Sequence, residues 1–166
     1  MIRKIYNTLF STDKELAAYI RSVTGITPGN LKLFKQVFQH RSKFIEPKEN
    51  NERLELLGDA ILDAIVCEFL FKKYPYKEEG FITELRSKIV NRKSLNEVGT
   101  KLGLVEKLAF NRRSMNDVSK DLAGNTFEAL VGAVYLDSGF DATRKFIMKR
   151  VLKNLLDVDS LEITNT

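Results

Sequence analysis

The stretch NNERLELLGDAILDAIV, residues 50–66, decides how the chain is read. Its apolar residues recur at the helical period, and the pattern runs from about Glu52 to Tyr74, stopping before Pro75. On such a helix Glu52, Glu55, Asp59 and Asp63 are spaced by three, four and four residues, which makes one continuous acidic stripe. Leu54, Leu57, Ile61 and Ile65 crowd the rest of the circumference. Only Arg53 lies among the first three acids, and it points off their face. Like charges at this spacing each cost a helix roughly 0.2–0.5 kcal/mol, and partly buried acids cost more unless a cation or protons intervene. One reading is a solvated charged face. The other is one wall of an oxygen-lined site for a divalent ion such as Mg²⁺, which is typically held by carboxylates and its own waters. Gly58 favours the second reading. In mid-helix it costs about 1 kcal/mol relative to Ala, which points to another helix approaching closely.

A second wall is offered by GNTFEALVGAVYLD, residues 124–137. Asn125 and Glu128 are three apart and face the same way, and Gly132 again breaks helix propensity where close packing would need it. The alternative for Glu128 is a buried acid paired with an Arg or Lys.

The rest of the chain bounds the chemistry. Its 166 residues, 43% hydrophobic, suffice for one domain with its own core. Lys and Arg number 27 against 22 Asp and Glu, a net +5 that is compatible with a nucleic-acid partner. With one histidine, His40, catalysis by a His pair and His-rich zinc sites are excluded. With one cysteine, Cys67, no internal disulfide can form; its apolar surroundings suggest a buried, inert thiol in a reducing compartment. No apolar run is long enough to span a bilayer and the N-terminal residues do not read as a signal peptide, so a cytoplasmic, non-membrane protein is expected.

Helical periodicity dominates, and six to eight helices in an all-α fold are expected. Thr12 is a candidate N-cap and Gly25 a stop; Leu31, Phe34, Val37 and Phe38 share a face. Residues 78–104 read as one helical segment with Phe81, Leu85, Ile89, Leu95, Val98 and Leu102 as its stripe. A helix from about Ser119 to Leu136 is stopped by Gly139, and another starts at an Asp141 cap with Phe146, Ile147, Val151 and Leu155 on its inner face. Residues 157–166 resemble a linker.

The two acidic segments together resemble the ribonuclease III family. NERLELLGDAIL (51–62) is similar to its signature stretch and FEALVGAVYLD (127–137) to its second acidic motif, with FQHRS (38–42) and residues 78–104 in matching order. The resemblance covers about 31–156, within a nuclease domain of 1–156. It implies a dimeric all-helical endonuclease that cuts double-stranded RNA with Mg²⁺ (Mn²⁺ substituting), leaves 5′-phosphate and 3′-hydroxyl ends, and serves rRNA and mRNA processing. It implies Asp59 and Glu128 as catalytic residues, and Glu55, Asp59, Asn125 and Glu128 around the metal. Glu52 and Glu79 would serve substrate or local structure, and Leu56 the homodimer interface. His40, Arg41, Arg86, Lys88, Arg92, Lys93, Arg112 and Arg113 are candidate contacts to substrate phosphates; the basic run from Lys145 to Lys153 reads as a solvent face.

Three departures from the family pattern bear on activity. Asn125 stands where an Asp is usual, keeping an oxygen ligand but losing the charge. Leu56 replaces a Phe expected to plug into the partner subunit. No double-stranded-RNA-binding domain follows, so an excised domain or a short form is expected. Three functions therefore compete: a Mg²⁺-dependent endoribonuclease, a relative that binds double-stranded RNA without cutting it, and a helical dimerisation module.

Overall fold

The computed structural model describes residues 13–111 and 121–153. Six α-helices lie among them: α1 (Lys14–Thr24), α2 (Leu31–Val37), α3 (Glu52–Lys73), α4 (Glu79–Ile89), α5 (Arg92–Lys101) and α6 (Leu122–Phe146). A 3₁₀ turn, Val105–Lys107, precedes the undescribed stretch 112–120, and a π-helical turn, Ile147–Leu152, extends α6. Among the described residues the only ladder pairing is a single parallel bridge between Gln39 and Ala109. The fold is therefore all-α, as the periodicity indicates.

The core is built around α3 and α6. Leu62, Ile65, Val66 and Leu70 of α3 meet Phe127, Leu130, Val131 and Val134 of α6, all essentially inaccessible to solvent. The other helices close over this pair. Phe34 and Val37 of α2, Leu85 and Ile89 of α4, and Leu95 and Val98 of α5 are buried as the sequence stripes anticipate. No helix among the described residues is long and apolar enough to cross a membrane.

The helix boundaries differ from the sequence expectation in one place. Residues 78–104 are two helices. The chain breaks at Asn91, whose backbone is extended and whose side-chain oxygen accepts a hydrogen bond from the Ser94 N–H, capping α5. Within the span Leu122–Phe146, Gly139 is non-helical at φ 81° and ψ 176°, so two helical segments meet there at a kink, as the sequence expects. At the start of the chain, Gly25 closes α1 in the left-handed conformation, while the Thr12 cap lies outside the described residues. Cys67 is exposed on α3, not buried, because it faces away from the α3–α6 contact. The linker-like residues 157–166 and Leu155 also lie outside the described residues.

Two buried asparagines fix where α3 begins. Asn51 donates to the Val37 carbonyl at 3.2 Å; Asn50 donates to the Phe44 carbonyl and accepts from the Glu52 N–H at 3.1 Å. The FQHRS segment is held alongside, with the Ala109 N–H donating to the Phe38 carbonyl and the His40 N–H to the Ala109 carbonyl. These bonds place the first turn of α3, and with it Glu52 and Glu55, beside the start of α6.

A candidate active site between α3 and α6

The two helices touch backbone to backbone at their glycines. A Cβ on Gly58 would lie 1.7 Å from the Glu128 carbonyl oxygen and 2.8 Å from the Gly132 nitrogen. A Cβ on Gly132 would lie 2.3 Å from the Leu54 carbonyl oxygen. No side chain fits at either position. The contact holds Glu55 and Asp59, which flank Gly58 in sequence, beside Glu128.

The structure divides the acidic stripe. Its ends are neutralised: Glu52 accepts from Arg41 at 2.9 Å and Asp63 from Arg86 at 3.1 Å. The middle pair, Glu55 and Asp59, have no ion pair or side-chain hydrogen bond among the described residues, and neither does Glu128. Glu128 is therefore not the buried acid with an Arg or Lys partner that the sequence left open. Glu55 and Glu128 are half-buried, while Asp59 is exposed. Burial, followed by the charges of Asp59 and Glu55, pushes the Glu128 carboxyl up to about 7, against a weaker pull from Arg92. Burial also raises Glu55, with Glu52 and Asp59 adding to the rise and Arg41 and Arg92 opposing it. Three carboxylates thus crowd one place without a cationic side chain bonded to any of them.

A cleft of about 320 Å³ opens beside this cluster, lined by His40, Arg41, Asn51, Glu52, Glu55, Asp121, Leu122, Asn125 and Thr126. Asn125 faces it from the first turns of α6. His40 sits on its rim; burial, then Arg41, lowers its pKa, and its Nδ1 accepts from the Ser42 N–H at 3.2 Å. A neutral imidazole with its proton on Nε2 satisfies that bond. Among the described residues no three His, Cys, Asp or Glu side chains close around a single point tightly enough to enclose an ion on their own. The donors are still of the kind a hard divalent cation takes. Mg²⁺ retains several waters and is usually held by one or two carboxylates rather than caged. Glu55, Asp59 and Glu128, with the Asn125 amide oxygen, are the groups that could hold it.

Not every sequence candidate joins the cleft. Glu79 lies in the first turn of α4, exposed and accepting from Thr83 at 2.8 Å. It follows the C-terminal end of α3, whereas Glu55 and Asp59 lie in the N-terminal half of that helix, and it does not line the cleft. Arg112 and Arg113 lie outside the described residues. Leu56 projects outward, 74% exposed, next to a cavity of about 690 Å³ lined by Leu33, Leu54, Leu57, Ala60 and Leu136 among others. The sequence assigns nothing to Asp121 and offers Arg92 only as one of several candidate phosphate contacts. Their meeting at the cleft depends on how α5 packs on α6, which no local pattern encodes.

A family model described as ribonuclease-III-like matches residues 30–155. The chain is 39% identical over 157 residues to ribonuclease 3 of Bacteroides fragilis, an alignment covering 92% of this chain and 54% of that protein. It is 38% identical over 168 residues to ribonuclease 3 of Azobacteroides pseudotrichonymphae, covering 97% and 64% respectively. The chain thus spans between about half and two thirds of the length of these relatives. Among solved structures it is similar to the nuclease domain of ribonuclease III from Campylobacter jejuni, with a TM-score of 0.74, 29% identity, and coverage of 82% of this chain and 96% of that one. That protein is described as structurally flexible in a region involved in dimer formation. Dicer from Pichia stipitis is similar at a TM-score of 0.55 and 25% identity, with 77% and 61% covered.

Proposed function

The chain belongs to the ribonuclease-III-like family, and from that premise we propose that it is an endoribonuclease domain cutting double-stranded RNA by Mg²⁺-assisted phosphodiester hydrolysis. The observation that carries the proposal is the divided stripe. Arginines neutralise Glu52 and Asp63, while Glu55, Asp59 and Glu128 between them are left to repel one another. Such repulsion opposes folding, and a bound divalent cation would remove it.

Each residue has a defined task. Glu55, Asp59 and Glu128 would hold the cation, and Asn125, which lines the adjoining cleft, would offer an amide oxygen. Gly58 and Gly132 fix the separation of the two walls. When bound, Mg²⁺ supplies Lewis acidity, easing loss of a proton from the attacking water and offsetting charge on the phosphate and the leaving 3′-oxygen; Mn²⁺, with similar oxygen preference, substitutes. Hydrolysis in this sense leaves a 5′-phosphate and a 3′-hydroxyl. His40 and Arg41 at the rim, and Arg92 nearby, face the substrate backbone, and the duplex is recognised by its A-form shape and 2′-hydroxyls. Two copies joined through Leu56 would present two clefts to one duplex. The setting is RNA processing in the cytoplasm.

The test is a duplex-RNA cleavage assay with Mg²⁺ or Mn²⁺. Metal-dependent cutting should disappear in Glu128→Gln; cutting that survives the substitution refutes the assignment. The Asn125 amide makes one alternative worth testing, binding without cutting. That reading requires the unsubstituted chain to retain duplex RNA yet leave it intact in Mn²⁺, with Asn125→Asp restoring cleavage.

A further inference from the structure

Asp121 occupies the N-cap position of α6, where an aspartate usually accepts hydrogen bonds from first-turn amides. Here its side chain makes no such bond. The carboxylate is held sideways instead. Oδ2 accepts from Arg92 at 2.5 Å and Oδ1 from Asn96 at 3.3 Å. Asn96 is itself anchored, its Oδ1 accepting from the Gly124 N–H at 2.8 Å. The Asp121 carbonyl accepts from the Asn125 N–H at 3.0 Å, so the two residues stand one turn apart. Both line the cleft, opposite Glu52 and Glu55. On the α6 wall of that cleft Asn125 contributes a neutral amide, and the anionic group is Asp121.

We propose that Asp121 is a positioning residue of the cleft, supplying through the waters of a bound divalent cation the negative charge that the Asn125 amide lacks. The proposal rests on the metal-dependent reading of this site. Asp121 acts from outside the ion's direct ligands, where carboxylates orient the waters or groups that touch the metal. Arg92 holds the carboxylate in place. The Arg92 side chain is 84% exposed, and so exposed an ion pair contributes little to stability. It can swing to a substrate phosphate at small cost once a cation supplies the compensating charge.

The experiment is Mn²⁺ binding to the 166-residue chain, read as loss of the free-ion electron paramagnetic resonance signal without RNA. The unsubstituted chain, Asp121→Asn, Asn125→Asp and the double variant form a cycle, with thermal unfolding to confirm that each is folded. Asp121→Asn should weaken Mn²⁺ binding about 10-fold, the lower end for loss of an outer carboxylate. Asn125→Asp should tighten binding, and in its background the loss caused by Asp121→Asn should be much smaller, because the two charges are alternatives. Asp121→Ser, which can cap without charge, should behave like Asp121→Asn, and Asp121→Glu should retain affinity. Mn²⁺ binding that depends on Glu128 but ignores Asp121→Asn overturns this proposal and leaves the cleft's function standing. Equal losses in both backgrounds overturn it too, because Asp121 would then not substitute for position 125. No saturable binding by either the unsubstituted chain or Asn125→Asp overturns this proposal and the metal reading together.

Discussion

Glu128 is a carboxylate between Phe127 and Ala129, both fully buried, and its protonation couples the site to the stability of the fold. In the unfolded chain it titrates near 4.5, and in the folded protein at about 7. Between those values the folded state holds a proton that the unfolded state has released. The resulting stabilisation is complete below about 4.5 and lost as the pH rises through about 7. Metal-free protein should therefore show a urea midpoint that falls from pH 5 to pH 8, with Glu55, also raised, contributing in the same sense. Glu128→Gln cannot ionise and should flatten part of that slope. Mg²⁺ should recover much of the lost midpoint at pH 8. A Glu128→Gln midpoint that falls as steeply as the unsubstituted protein's would remove Glu128 as the source. The acids themselves were legible in the sequence because helical spacing alone aligns Glu52, Glu55, Asp59 and Asp63. What remained hidden was which of them carry a counter-charge. Arg41 and Arg86 reach the stripe from positions 11 and 23 residues away, and only the packed fold brings them there.

Helix pairing turns on two glycines. The atoms a Cβ would strike at Gly58 are the backbone of α6, which cannot rotate aside as a flexible side chain can. Gly58→Ala should force α3 and α6 apart, with a loss at or above the usual 1–3 kcal/mol of overpacking, about that range or more, and with weakened Mn²⁺ binding because the walls separate. Gly80, in the first turn of α4, has nothing within 4 Å of its would-be Cβ. Gly80→Ala should be neutral or stabilising by up to about 1 kcal/mol. Chemical denaturation of the two variants side by side makes the comparison, and equal stabilities would contradict the close contact. Both interlocking glycines were legible as propensity violations inside otherwise strong helices. The break at Asn91 was not, because the apolar period runs through it from Leu85 and Ile89 to Leu95 and Val98. What ends α4 is local: an asparagine that bonds to both the Lys88 carbonyl and the Ser94 N–H. At Gly139 the sequence signal holds: its non-helical backbone separates two helical segments, and Thr143, Phe146 and Ile147 bury the second one in the core.

At the scale of the whole molecule, α3 turns an apolar edge to solvent. Leu56, Ala60, Ala64, Cys67 and Phe71 are all exposed and recur at intervals of four, four, three and four, one continuous face of the helix. Leu56 and Phe71 are 74% and 70% exposed, and the cavity of about 690 Å³ beside Leu56 is walled mainly by leucines. A knob next to a socket on one surface is self-complementary under a two-fold axis, since each copy can fill the other's recess. Burying Leu56 in this way would contribute roughly 1.5–3 kcal/mol per subunit. Leu56→Glu places a charge in the recess and should convert a dimer to monomer at micromolar concentration in sedimentation velocity, with helical circular dichroism unchanged because Leu56 touches no core. Leu56→Phe, which fills more of the socket, should shift the equilibrium the other way. If the proposed dimer acts on duplex RNA, cleavage should fall with the dimer, because a single cleft would meet one strand where two would meet both. A Leu56→Glu protein that still sediments as a dimer would place the interface elsewhere. One that is monomeric yet cuts at the full rate would show that a single α3–α6 cleft carries the whole reaction.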